Sequence, residues 1–239
     1  MAGSLGRGKG DQFSDVDVLV LAADGRLDAV VARYVRDVSP IAEPGLVTPL
    51  FGGRLLSVVT ADWRRFDLAF AEAGDLGRYD SAALTPLFNR AGRSPPRGGY
   101  ITYRPQPEQL LRLVNEFLRI LGLSVAGIGR EEYVLGLTGV DLLRKLTMDL
   151  MLEENAVAPI DRGGALHRNP LLTPEQRLEF DTLAPVVADR DGIIAANLAL
   201  AERFLPRARR LADRIGMVWP SAFEASTRRH LQQSLGVSF

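Results

Sequence analysis

Short apolar runs separated by polar turns fill the N-terminal part of the chain, a pattern typical of buried strands. Val16–Ala22, Leu55–Thr60 and Arg65–Ala71 predict three such strands. Between the first two, Leu27–Val38 carries apolar residues at helical spacing and predicts an amphipathic helix. Proline and glycine in Asn89–Gly99 predict a loop. This part of the chain is therefore expected to mix a sheet with helices.

The C-terminal part is different, because its apolar positions recur with the period of a helix. Thr173 followed by Pro174 and, at the third position, Gln176 is a capping box and marks a helix start. About five helices are predicted in all. Besides the one that starts at Thr173, they are a helix opening at Pro107 and the helices Glu131–Glu154, Gly192–Ile215 and Pro220–Leu235. We expect two domains, residues 1–103 and residues 104–239, the second entirely helical.

Composition excludes several classes of protein. The 239 residues hold 29 basic and 29 acidic side chains, so no net positive charge favours a nucleic acid as partner. The chain has no cysteine and two histidines, which excludes disulfides, thiolate zinc sites and histidine-rich metal sites. No apolar run reaches the roughly 20 residues that span a bilayer, and the N-terminus lacks a signal-peptide core. We expect a cytoplasmic protein without a membrane partner.

The segment Gly3–Leu21, GSLGRGKGDQFSDVDVLVL, carries the candidate chemistry. Asp15 and Asp17 stand two residues apart at the start of a predicted strand, so their carboxylates are expected on one face. Such neighbours repel unless a cation lies between them, and Mg²⁺ is typically held by one or two carboxylates together with substrate phosphates. Upstream, Gly3 and Ser4 offer backbone N–H groups and a hydroxyl to a triphosphate.

The glycine-rich connection after Gly3-Ser4 completes the candidate phosphate site. Gly6, Gly8 and Gly10 permit close backbone approach. Arg7 and Lys9 are candidates to neutralise phosphate charge, although a solvated loop explains both equally well. A solvated turn before a strand is likewise the alternative for Asp15 and Asp17.

Gly-Ser, a spacer, Asp-x-Asp and a following strand together resemble the signature of the polymerase β-like nucleotidyltransferases. Within that superfamily, the segment with its Ser14 is most similar to the lincosamide nucleotidyltransferases, with the aminoglycoside enzymes close behind. The resemblance implies an α+β fold, in which a nucleotidyltransferase-type mixed sheet with helices precedes an all-helical C-terminal domain. In that family a helix and a strand normally precede Gly-Ser, so this first helix and strand are expected to be missing here.

The resemblance also implies a third carboxylate on a later strand, as metal ligand or as general base. Asp67 is the candidate, because Phe66 and Leu68 are expected on the opposite face. Asp62 is the runner-up. A glutamate of the helical domain is a further alternative, but Glu131 and Glu132 are expected to open a helix, where acidic side chains interact favourably with its dipole.

Other polar and aromatic residues have simpler interpretations. The cluster Arg207–Arg214 is expected to be a solvated helix face, and His167 to lie in a polar loop. Tyr100, Tyr103 and Trp63 are candidates to stack on a base or an acceptor ring, but ordinary packing is expected for each.

The resemblance implies an Mg²⁺-dependent transferase that moves a nucleoside monophosphate, expected to be AMP, from ATP or another NTP to a hydroxyl of a small molecule. An antibiotic such as a lincosamide or aminoglycoside is one such acceptor. Catalysis would rest on Asp15, Asp17 and Asp67, and the cofactor contacts on Gly3, Ser4, Arg7, Lys9 and Ser14.

Three alternatives remain open at this point. In the first, the acceptor is a protein side chain and not a small molecule. In the second, the chain is a non-catalytic regulatory module with a relict site. In the third, Asp15-Val16-Asp17 is the Asp-x-Asp motif of a sugar-nucleotide glycosyltransferase. The last leaves Gly3-Ser4 without a role. The oligomeric state is open too, with a homodimer as one alternative.

Overall fold

The computed structural model describes residues 1–8, 10–79, 84–89, 92–93, 103–159, 162 and 168–239. The chain divides into two compact units, Met1–Ile101 and Thr102–Phe239. The first contains the sheet and the second is helical, so the predicted α+β fold class is confirmed.

A mixed four-stranded sheet in the order β1-β4-β3-β2 forms the first unit. Strand β1 runs parallel to β4, while β3 is antiparallel to both β4 and β2. The described elements of this unit are α1 (Gly3–Gly6), β1 (Val16–Ala22), α2 (Leu27–Arg36), β2 (Pro44–Leu50), β3 (Leu55–Thr60) and β4 (Arg65–Glu72), with short 3-10 turns at Phe51–Gly53 and Ala73–Arg78.

Strand β2 is missing from the sequence-based prediction, because Pro44 and Pro49 argue against a strand. Proline lacks the N–H that a ladder needs, and it is therefore confined mainly to edge strands and strand ends. β2 occupies such an edge and pairs with β3 alone. The other three strands lie where the alternation of the sequence predicts them.

Two faces of very different character result from the alternation along β3 and β4. Leu56, Val58, Phe66, Leu68 and Phe70 are buried on one face, and they form the core of this unit with residues of β1, α2 and the segment after α2. The residues between them point to the opposite face. That opposite face carries the acidic side chains of interest.

Five α-helices form the second unit within its described residues, as the helical periodicity predicts. They are α3 (Pro107–Gly129), α4 (Tyr133–Glu154), α5 (Pro174–Asp181), α6 (Arg190–Ile215) and α7 (Ser221–Leu235). Phe117 of α3 stacks on Phe204 of α6 at the centre of the core, with ring centroids 3.9 Å apart. None of the helices described here has an apolar stretch long enough to cross a membrane.

The start of α5 follows its sequence signal closely. Thr173 accepts a hydrogen bond from the backbone N–H of Gln176, and the Gln176 side chain accepts one from the backbone N–H of Thr173. These reciprocal contacts are the predicted capping box. They satisfy N–H groups that the first turn of a helix leaves without a partner.

The start of α4 agrees with the prediction for Glu132 and corrects it for Glu131. Helix α4 begins at Tyr133 and Glu132 is its N-cap residue, although the Glu132 side chain makes no capping hydrogen bond. Glu131 lies before the helix in a left-handed conformation, with φ of 59°.

Arg207 corrects the expectation of a solvated face over Arg207–Arg214. Its side chain is buried and forms ion pairs with Glu154 and, at 2.7 Å, with Glu179. The helical period places position 207 on the side of α6 that faces the core, so an arginine there needs acidic partners.

Candidate functional site

Asp17 and Asp67 are direct neighbours on adjacent strands. Strand β1 pairs with β4 in parallel, and the register places Asp17 opposite Asp67. Adjacent strands lie about 4.8 Å apart, and residues in register point to the same face. Both residues are half-buried, on the face away from the α2 core. The fold thus brings together two carboxylates that lie fifty residues apart in sequence.

Asp15 lies outside this pair. It directly precedes β1 and is half-buried, so strand pairing does not fix its side chain beside Asp67. In the described part of the chain, no three His, Cys, Asp or Glu residues form a group arranged to hold a metal ion. Two carboxylates are nevertheless a sufficient protein contribution for Mg²⁺, which takes its remaining ligands from water and phosphates. Asp17 and Asp67 therefore fit such an ion by their chemistry.

Gly3 and Asp17 are in close contact. The backbone N–H of Ala2 donates to the carbonyl oxygen of Asp17 at 2.7 Å, which fixes the start of α1 against β1. A β-carbon built on Gly3 would lie 1.8 Å from Oδ2 of Asp17, and Gly3 has φ of 61°. Both the space and the backbone conformation require glycine at this position. The Gly-Ser turn is thus seated beside one acidic residue of the pair.

The other predicted phosphate-binding residues have different surroundings. Arg7 follows α1 and is exposed. The hydroxyl of Ser14 donates to Oδ1 of Asp11 and accepts from the backbone N–H of Asp11, both at 3.0 Å. The Phe13 N–H and the Ser14 hydroxyl lower the pKa of Asp11 by hydrogen bonding. Ser14 therefore closes a turn in this structure, while Lys9 lies outside the described residues.

Asp67 and its runner-up Asp62 differ in their partners. The hydroxyl of Thr60 donates to Asp62 at 2.5 Å, and the Arg64 guanidinium pairs with it at 2.8 Å. The Thr60 hydrogen bond and the Arg64 charge hold the pKa of Asp62 below its usual value. The side chain of Asp67 makes no hydrogen bond or ion pair with any residue the structure describes. A carboxylate stabilised in its charged form is the weaker proton acceptor, which argues against Asp62 as a base.

The candidate stacking residues divide into two groups. Trp63 lies in the turn between β3 and β4 with φ of 63° and is 80% exposed, so the expected packing role is wrong for it. Tyr103 is packed as expected, since its hydroxyl donates to the buried carboxylate of Glu153. Tyr100 and His167 lie outside the described residues.

A polar row that the sequence analysis missed extends the acidic pair. Ser57 of β3 lies in register with Asp67, and Thr48 of β2 lies in register with Ser57. The row Asp17, Asp67, Ser57 and Thr48 therefore crosses all four strands on one face. Ser57 interrupts the apolar run of β3 and was visible in the sequence, but its place in the row depended on recognising β2.

A cavity of about 370 Å³ lies on the same unit, and Leu55 and Ala69 belong to its lining. Leu55 and Ala69 form the next pair along β3 and β4 on the face of Ser57 and Asp67. The polar row and the cavity are therefore neighbours on one sheet face.

The sequence of the chain shows little similarity to known proteins, as the following two comparisons illustrate. No family model matches the sequence. DNA gyrase inhibitor 1 of Dickeya dadantii (strain 3937) is 32% identical over 80 residues, which are 31% of this chain and 52% of that protein. The chain thus spans about half the length of the curated relative that it matches.

A solved structure matches nearly the whole chain. The aminoglycoside 6-adenyltransferase from Bacillus subtilis superposes with a TM-score of 0.51 at 13% sequence identity, covering 92% of this chain and 88% of that one. Similarity at this identity shows the fold. The predicted resemblance to the polymerase β-like nucleotidyltransferases is confirmed at that level.

Proposed function

We propose that this chain, which has the fold of a polymerase β-like nucleotidyltransferase, moves a nucleoside monophosphate from an NTP to a hydroxyl of a small molecule. The observation that carries the proposal is the register of Asp17 with Asp67, on the sheet face left free by α2. The contact between Gly3 and Asp17 supports it, since it joins the Gly-Ser turn to the acidic pair.

Asp17 and Asp67 would hold Mg²⁺, with Asp15 contributing from the turn before β1. When bound, the ion would supply positive charge that stabilises the charge developing on the phosphates. Gly3 and Ser4 bind the triphosphate through backbone N–H groups and a hydroxyl, while Arg7 and Lys9 neutralise its outer charge. AMP is the proposed transferred group and ATP its donor.

The transfer is an in-line displacement at the α-phosphorus. The acceptor oxygen forms a bond to the α-phosphorus, and the bond from that phosphorus to the pyrophosphate oxygen breaks. The proton of the acceptor hydroxyl passes to the carboxylate oxygen of Asp67 that does not hold the ion, and pyrophosphate leaves with the electron pair of the broken bond. Holding the two substrates in line contributes much of the rate acceleration in reactions of this class.

A hydroxylated small molecule is the proposed acceptor, and an antibiotic such as an aminoglycoside or a lincosamide is one candidate for it. The solved relative is itself named as an aminoglycoside 6-adenyltransferase. Incubating the protein with ATP labelled at the α-phosphate distinguishes the acceptors. Label on a small hydroxylated compound supports the proposal, and label on a protein shows a protein acceptor instead. Bound ATP that transfers no label to any acceptor shows a regulatory module.

A thermal-shift screen of ATP, GTP, CTP and UTP with Mg²⁺ tests the site before any acceptor is known. A ligand that binds only the folded state stabilises it, by about 2.7 kcal/mol when the ligand concentration is a hundred times its Kd. The unfolding temperature rises as a result. We expect an NTP shift that requires Mg²⁺ and is lost in Asp17→Asn and Asp67→Asn.

Asp28→Asn is the matched control, because Asp28 lies in the first turn of α2, the helix that packs against the other face of the sheet. This variant should keep the full shift. An Mg²⁺-dependent shift that survives in both site variants would overturn the proposed site.

A further inference from the structure

The cavity lies beside the polar row that contains the candidate base. Leu55 and Ala69 of its lining form a cross-strand pair. This pair lies two residues along the strands from the pair Ser57 and Asp67, on the same face of the sheet. Two residues of a strand span about 7 Å. A ring compound in the cavity therefore lies within reach of Asp67. The volume of about 370 Å³ falls within the range of small-molecule pockets.

Phe51 forms part of the cavity wall in a strained conformation. Its φ is 50°, and Gly52 and Gly53 follow with φ of 67° and 84°, so three successive residues are left-handed. For a non-glycine residue this costs on the order of 1–3 kcal/mol, and such strain clusters at ligand sites. The backbone N–H of Phe70 fixes the segment by donating to the carbonyl of Arg54 at 2.8 Å. The result is an aromatic ring that is 79% exposed.

Arg54 contributes a positive charge to the same cavity. Its side chain is exposed, and its guanidinium makes no ion pair or hydrogen bond with any residue in the described ranges. Asp75 also lines the cavity but already has an interaction partner. Arg54 therefore offers a ligand a guanidinium, which recognises carboxylate and phosphate groups through two parallel hydrogen bonds.

We propose that this cavity is the acceptor subsite and takes a hydroxylated ring compound that carries a carboxylate or phosphate group, which is a different acceptor from the cationic aminoglycosides. The ring packs against Phe51, the anionic group pairs with Arg54, and the hydroxyl points along β4 towards Asp67. The identification as acceptor subsite rests on the proposed function, whereas the binding of such a compound does not.

Saturation-transfer NMR, without nucleotide or metal, tests the binding with three probes that share a phenol ring. They are 3-(4-hydroxyphenyl)propionate, which is anionic, tyramine, which is cationic, and 4-ethylphenol, which is neutral. We expect the anion to bind more tightly than the other two. Arg54→Gln should raise its Kd about tenfold, because a charge-assisted hydrogen bond is lost. Arg36→Gln, which changes an exposed arginine at the end of α2, should leave the Kd unchanged.

Phe51→Gly separates binding from folding. Glycine removes the backbone strain, so the melting temperature should stay the same or rise, while the Kd of the anionic probe rises. Tighter binding of tyramine than of the anion, or an unchanged Kd in both Arg54→Gln and Phe51→Gly, would overturn the subsite.

The experiments distinguish failure of the proposed subsite from failure of the proposed function. If the anion binds through Arg54 but the protein transfers AMP to no acceptor, the subsite stands as a binding site and the proposed function fails. If AMP transfer to another acceptor is unchanged by Arg54→Gln and no anion binds, the proposed function stands and the subsite fails.

Discussion

The carboxylate of Asp17 occupies the space that any side chain on Gly3 would need. A β-carbon there would lie 1.8 Å from Oδ2 of Asp17, well inside the distance at which atoms repel. The first glycine of the Gly-Ser turn is thus linked sterically to the acidic residue of β1. This contact explains why the two parts of the motif belong together although thirteen residues separate them.

Gly3→Ala should therefore abolish the Mg²⁺–NTP thermal shift, because the methyl group displaces the Asp17 carboxylate. Gly8→Ala is the matched control. Gly8 has a similar φ of 66°, but a β-carbon there meets nothing within 4 Å. Both variants pay about 1–2 kcal/mol for a left-handed alanine, measurable by urea unfolding. Equal nucleotide shifts in the two variants would show that the clash with Asp17 is irrelevant to binding.

Asp67→Asn should lower the rate of AMP transfer by about 10² to 10⁴, the usual contribution of a general base. Asp62→Asn should change the rate little, since the Asp62 carboxylate is held by Thr60 and Arg64. Single-turnover kinetics with labelled ATP measures both rates. A larger loss in Asp62→Asn than in Asp67→Asn would reverse the assignment of the base.

Arg207→Leu should destabilise the helical unit by about 1–3 kcal/mol, because the partly exposed Glu154 and Glu179 lose their hydrogen bonds to a buried cation. Arg214→Leu, near the exposed end of the same helix, should cost far less. Guanidinium unfolding followed by circular dichroism compares the two variants. Similar losses would mean that the buried ion pairs of Arg207 do not stabilise the fold.

Glu224 should make stability depend on pH in the acidic range. Burial alone would raise its pKa, but hydrogen bonds from Trp219 and Arg228, together with Arg209, outweigh burial and hold the pKa below its usual value. A carboxyl with a lowered folded-state pKa stabilises the protein above its unfolded pKa. This contribution is lost as the pH falls through the lower, folded-state value.

Glu224→Gln should therefore lower the unfolding free energy at pH 7 and have little effect near pH 2. Urea unfolding of both proteins across this range measures the difference. A difference that stays constant with pH would contradict the role of the charged carboxylate.

Local patterns predicted much of the fold, because their physical causes are local. Strict alternation in Arg65–Ala71 fixed which residues of β4 are buried, and hence the face of Asp67. The capping box at Thr173 marked the start of α5 in the same way. Strand β2 was not predicted because its prolines argue against a strand. They are tolerated at a sheet edge, and which strand forms the edge is a property of the whole sheet.

The candidate site was likewise predictable where it depends on local pattern and not where it depends on long-range pairing. Asp17 and Asp67 could be chosen from sequence, but their register is a long-range pairing that local pattern does not encode. The polar row through Ser57, the strained Phe51 and the exposed guanidinium of Arg54 depend on three-dimensional neighbours as well. The burial of Arg207 was missed because its acidic partners lie on α4 and α5.

Binding of Mn²⁺, measured by electron paramagnetic resonance with a non-hydrolysable ATP analogue, tests the paired carboxylates most directly. The wild-type protein should bind the ion in the presence of the analogue, Asp17→Asn and Asp67→Asn should each lose most of that binding, and Asp28→Asn should keep it. Undiminished Mn²⁺ binding in both site variants would contradict the account.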